Sequence, residues 1–155
     1  MASEAQLVKL EKIKTIVDKT PNKEVPKALS KNHIGYEKAI RSITNLGQWA
    51  IASAIISIAT AIIFLAFKFA ASHIGPSNSE LILSLLVIGI SATTGVLGYK
   101  LWNLQSTPEF TIFSVILILG CNILLVVGVI PFITAVKAII TISRFDTFRS
   151  WFASM

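Results

Sequence analysis

Few groups in this chain could do chemistry. It has two histidines, one cysteine and eight acidic residues, and their spacing limits their use. His33 lies in a polar stretch, Lys31-Asn-His-Ile-Gly35, and His73 is far along the chain with no cysteine near it. A zinc-type site needs several converging nitrogen or sulfur ligands, so no metal is expected. Cys121 sits deep in an apolar run, where a lone thiol acts as a small packing residue. No Ser-His-Asp set, paired carboxylates, phosphate-cradling glycine loop or zinc motif appears. The expectation is a chain that is not an enzyme and carries no cofactor.

Asn122 is the one strongly polar group near the middle of an apolar segment. An amide in that position can hydrogen-bond to a neighbouring helix, for about 0.6–2 kcal/mol. The Ser and Thr groups of the preceding apolar segment are its expected partners, and a pore-lining amide is the alternative. Ionisable groups at mid-membrane would mark an ion or proton pathway. Lys68, Glu80, Lys100 and Glu109 all fall at the ends of apolar segments instead. That argues against a pump, a proton-coupled transporter or a voltage sensor.

The elements carrying these residues are long, apolar and helical. The chain is 54% hydrophobic and 14% charged, against about a quarter charged for a soluble domain. Nine of the fourteen basic residues and five of the eight acids precede Gly47. The expected fold is therefore all-α: an integral membrane protein of three transmembrane helices, an antiparallel hairpin plus a Pro-kinked third span, with amphipathic helices at both ends.

Residues 1–46 form a hydrophilic extension. Ser3 and Gln6 fit a capping box, followed by an apolar stripe of Leu7, Leu10, Ile13 and Val17 that ends at Pro21. The stripe must be covered by lipid, by a partner or by the next segment. The lysines interleave with acids and accompany no nucleic-acid module, so anionic lipid headgroups are their expected partners and nucleic acid is not.

The first span is predicted over 47–71, a short loop over 72–79, and the second span over 80–102 with Ser79 as N-cap. About 20 apolar residues suffice to cross a bilayer. A loop over 103–109 leads to Pro108 at the first helical position, and then to a third span over 110–130. The apolar run from Phe110 to Ile142 is too long for one span, and Pro131 is expected to end or kink it. Residues 131–155 are read as a basic amphipathic helix in the interface.

Small residues mark the expected helix contacts: Ser53, Ser57 and Ala61 on the first span, and Gly89, Ser91, Gly95 and Gly98 on the second. The second span should therefore be the central one. Trp49, Lys68, Tyr99, Lys100, Trp102 and Trp151 are expected interface anchors. Basic residues before the first span place the N-terminus in the cytoplasm, and three spans then put the C-terminal helix on the other side. Its Lys137, Arg144 and Arg149 conflict with that side, and an even number of spans would remove the conflict.

The expected function is association: an accessory, assembly or scaffold subunit that pairs with other membrane subunits or with itself. A holin-like or small-channel pore is the alternative, with Ser53, Ser57, Thr60, Ser91, Thr93, Thr94 and Asn122 around a shared lumen. A host-membrane-inserted effector is a third possibility.

Overall fold

The computed structural model describes residues 4–21, 24–29, 34–71, 77–104, 107–124 and 128–154. Ser3, His33 and His73 lie outside them. The described residues form seven helices and no strand. In order these are α1 (Glu4–Lys19), α2 (Val25–Leu29), α3 (Ile34–Ala71), α4 (Asn78–Trp102), α5 (Pro108–Leu124), α6 (Val129–Ser143) and α7 (Phe145–Ser154).

The 38-residue α3 joins what the sequence divides at Gly47. No proline interrupts it, so the amphipathic segment runs into the apolar one without a break. Ser77, not Ser79, caps α4: its backbone is extended and its side chain accepts from the Glu80 amide at 3.3 Å. Beyond Trp102 the chain turns through Leu104, whose φ of 51° is left-handed. Such a conformation costs a non-glycine residue about 1–2 kcal/mol. Burial of the Leu104 side chain in the core opposes that cost.

The third span differs from expectation. The helix that starts at Pro108 stops at Leu124, and Gly128, in extended conformation, precedes a new helix at Val129. Pro131 therefore stands in the first turn of α6, where an N–H has no intrahelical acceptor. Proline helps to start this helix instead of kinking the one before it. The apolar run holds two short helices, of 17 and 15 residues. Among the described residues two helices are long and apolar enough to cross a membrane, Tyr36–Ala70 and Asn78–Trp102. Only 22% and 28% of their apolar windows are buried within the molecule, unlike the core helix of a soluble protein.

The four apolar helices pack as a ring in which α3 touches α4 and α6, and α5 closes against α4 and α6. α3 also touches α2 and α7, so it is the hub, and α4 is not the central helix. The small residues of α4 are spread around its circumference, so only one face of them meets neighbours. Thr141 reaches the Ser42 carbonyl (3.3 Å) and Thr134 the Trp49 carbonyl (3.3 Å), which fixes α6 antiparallel to the first half of α3. At about 1.5 Å per residue, α5 and α6 rise roughly 25 and 22 Å against about 37 Å for α4. The far ends of α3 and α4 therefore project beyond them.

Both chain ends lie together. The Lys9 ammonium donates to the Phe152 and Ala153 carbonyls (3.1 and 3.4 Å), a basic group on the last turn of α7. Trp151 Nε1 donates to the Leu29 carbonyl (3.2 Å). The C-terminal segment is thus not on the side opposite the N-terminus, and it is not one interfacial helix. α6 belongs to the ring, and α7 buries Phe148, Trp151 and Phe152 in a core shared with Ile13, Ile40 and Ile43.

Candidate functional site

The surfaces the described residues offer are those where helices meet each other or face outward. The closest approach is between α3 and α4. A Cβ at Gly47 would lie 2.6 Å from the Gly98 carbonyl oxygen and 2.6 Å from the Trp102 amide nitrogen. One at Gly98 would lie 2.8 Å from both the Gly47 oxygen and the Ala50 Cβ. The two backbones touch, and only glycine fits at either position. Gly95 faces Ala54 less tightly, its Cβ position 3.1 Å from the Ala54 Cβ. Gly89, expected in the same row, is exposed and would meet nothing within 4 Å.

Further along the interior, Ser53 Oγ donates to Asn122 Oδ1 at 2.7 Å, and Asn122 Nδ2 donates to the Ile118 carbonyl at 2.8 Å. Both residues are fully buried. The amide thus joins α5 to the first arm of the hairpin, not to the second. On α4, Ser91 and Thr94 are equally buried, yet neither hydroxyl has a partner. Ser114, Thr134 and Thr141 turn their hydroxyls onto carbonyls four residues back, at 2.8 Å each. That is how a helix in apolar surroundings carries such groups.

Outward, the four helices present apolar side chains on every side: Phe67 (69% exposed) on α3, Leu83 on α4, Ile116 on α5 and Phe132 on α6, among many. At one level Lys137 Nζ lies 5.4 Å from the Trp49 ring, and Lys100 Nζ 5.0 Å from the Phe110 ring. Trp102 is half-buried and Tyr99 exposed at the same level. At the far end Lys68 Nζ pairs with Glu80 (3.3 Å) and lies 5.6 Å from the Phe64 ring. Of the expected anchors, Trp151 stands apart. It is 3% exposed and belongs to the terminal core.

Where α5 and α6 stop short, a cleft of about 420 Å³ opens between the projecting arms. Ser57, Ala61 and Phe64 line it from α3, Ser84 and Val87 from α4, and Leu124 and Pro131 from the short helices. Ser57 and Ala61 both line the cleft, and Ala61 is buried.

The N-terminal stripe is covered largely by the chain itself. Ile13 is buried in the terminal core, Leu10 and Val17 pack against it, and Leu7 remains 51% exposed. Gly47, Thr134 and Thr141 are contacts the sequence did not single out, and Lys137 read there only as a charge of the C-terminal helix. The two threonines are seven residues apart, with Lys137 between them, a spacing that puts them on one helix face. Among the described residues no cluster of three or more His, Cys, Asp or Glu could hold a metal ion. Comparison with protein-family models, with curated proteins and with solved structures found no match to this chain.

Proposed function

We propose that this chain is an integral membrane protein that works by association, as an accessory, assembly or scaffold subunit, and not by catalysis. The observation that carries the reading is the belt of exposed apolar side chains around all four ring helices. Soluble monomers rarely expose a continuous apolar patch beyond a few hundred Å². The charged levels are spaced to match. The residues from Trp49 to Lys68 and from Glu80 to Lys100 rise about 28 and 30 Å, against a hydrocarbon layer of about 30 Å.

Orientation follows from charge. Of the described basic residues, only Lys68 lies at the far end, and it is paired with Glu80. The end bearing both termini is therefore the cytoplasmic one by the positive-inside tendency. Exposed Lys12, Lys14 and Lys19 on α1 would meet anionic headgroups there. Partners within the bilayer would be other membrane subunits or a second copy, held against the belt.

The pore alternative asks its hydroxyls to share one face. Ser53, Ser91, Thr94 and Asn122 are buried inside a single chain, whereas Thr60 and Thr93 are exposed and bonded to their own helix carbonyls. That division favours association. In mild detergent the chain is expected to co-purify with a membrane partner, or with itself, at fixed stoichiometry. Proteoliposomes at high protein load are expected to stay sealed. A partnerless monomer would overturn association, and steady conductance would install the pore in its place.

A further inference from the structure

We propose that the cleft between the projecting arms of α3 and α4 takes one hydrocarbon chain of a phospholipid from the leaflet opposite the termini. The proposal rests on the membrane reading above. The cleft lies beyond the last described turn of α5 and the first turn of α6, between Ala61 and Phe64 of α3 and Ser84 and Val87 of α4. Its position selects the occupant. Ser84 and Phe64 lie one helical turn inside the Lys68–Glu80 pair, about 6 Å below that charged level. The cleft thus begins where the ester groups of the opposite leaflet end and runs down through the depth of their tails.

The lining chemistry agrees. Apart from hydroxyls the walls are apolar, and Thr60 turns its hydroxyl onto the Ile56 carbonyl (2.8 Å), presenting its methyl side. The start of α6 borders the cleft through Gly128 and Pro131, and proline has no N–H to leave unserved there. Ser84, a buried residue, is part of the α4 wall at that level. Ser57 is at the blind end, where a helical serine can turn onto the carbonyl four residues back. A volume of about 420 Å³ is within the ~300–1,000 Å³ of small-ligand sites. The outer walls continue into the exposed belt at Ile63 and Leu86, so a lipid reaches the cleft sideways without leaving the bilayer.

The test uses the full chain in liposomes containing phosphatidylcholine with a photoactivatable diazirine midway along one acyl chain, with adducts mapped by mass spectrometry. Adducts on Ala61 and Val87 are expected at several times the yield at belt residues Ile116 and Val136. Ala61→Trp should fill the cleft and cut its labelling at least fivefold while belt labelling stays unchanged. Leu124→Ala, at an exposed position with little risk to folding, should widen the cleft and raise labelling of Ala61 and Val87. Cleft labelling no higher than the belt, and unmoved by both variants, overturns the proposal while leaving the membrane reading intact. Absence of label from the belt as well overturns the membrane reading itself. Cleft labelling by a diazirine fatty acid but not by the phospholipid replaces the source, and labelling by a water-soluble carbene alone makes the cleft aqueous.

Discussion

At the end that holds both termini, the inside is Ile13, Ile40, Ile43, Phe148, Trp151 and Phe152, and the outside is lysine, arginine and glutamate. Along the ring of α3 to α6 the outside is Ile, Leu, Phe and Val, and the inside mixes Ser53, Ser91, Thr94, Ser114 and Asn122 with Leu97, Val115 and Ile118. Water drives large apolar groups inward at the terminal end. On the proposed membrane reading that drive is missing between the ring helices, and cohesion would come from close backbone approach and interhelical hydrogen bonds. One chain would then obey two packing rules, with the change near Trp49 and Lys100.

Substitutions that suit one region should damage the other, which gives the comparison its sharpest test. Trp151→Ala should have the largest effect, about 3–5 kcal/mol for a buried aromatic, with the bond to the Leu29 carbonyl lost as well. Hydrogen exchange is expected to show α1 and α7 losing protection while α4 keeps its own. Equal loss in α4 would mean that the two regions are one cooperative unit.

The converse change is Gly98→Leu, expected near the top of the ~1–3 kcal/mol range for overpacking, since the atoms in its way are backbone. Gly95→Leu should cost less, its nearest obstacle being a methyl group. Leu86→Ala, on the exposed face, should change stability by less than about 0.5 kcal/mol. Melting temperatures in detergent give the order, and equality of Gly98→Leu with Leu86→Ala would refute the close approach.

Smaller effects than at Gly98 are expected in the polar interior. Asn122→Leu should cost about 0.6–2 kcal/mol, and most of that cost should vanish on a Ser53→Ala background. Thr94→Val should be neutral or slightly stabilising, because the hydroxyl it removes has no partner. A double-mutant cycle with no coupling between Ser53 and Asn122 would break the clasp. Destabilisation by Thr94→Val would mean that its hydroxyl is served.

Much of this was legible in local patterns. The helix starts at Pro108, the end of α1 before Pro21, and the small-residue contact at Gly95 and Gly98 all follow from residue types at fixed spacing. Pro131 was not resolved by its type, because proline both ends helices and favours their first turn. The two readings differ only in where the preceding helix stops. Trp151 and Ile13 misled for a related reason. An amphipathic stripe shows that a face must be covered, and it is silent on whether lipid, a partner or the other end of the same chain covers it.

What the sequence determined by itself is the class of element: apolar helices behind a hydrophilic, charged stretch that precedes Gly47. Those properties depend on residues near one another in the chain. What only the tertiary structure decided is which faces meet. The terminal helices cover each other, Asn122 bonds to the first arm and not the second, and α5 and α6 end early enough to leave a cleft. These depend on the register between helices, set by contacts such as Gly47 on Gly98 and Thr141 on Ser42, between residues far apart in sequence.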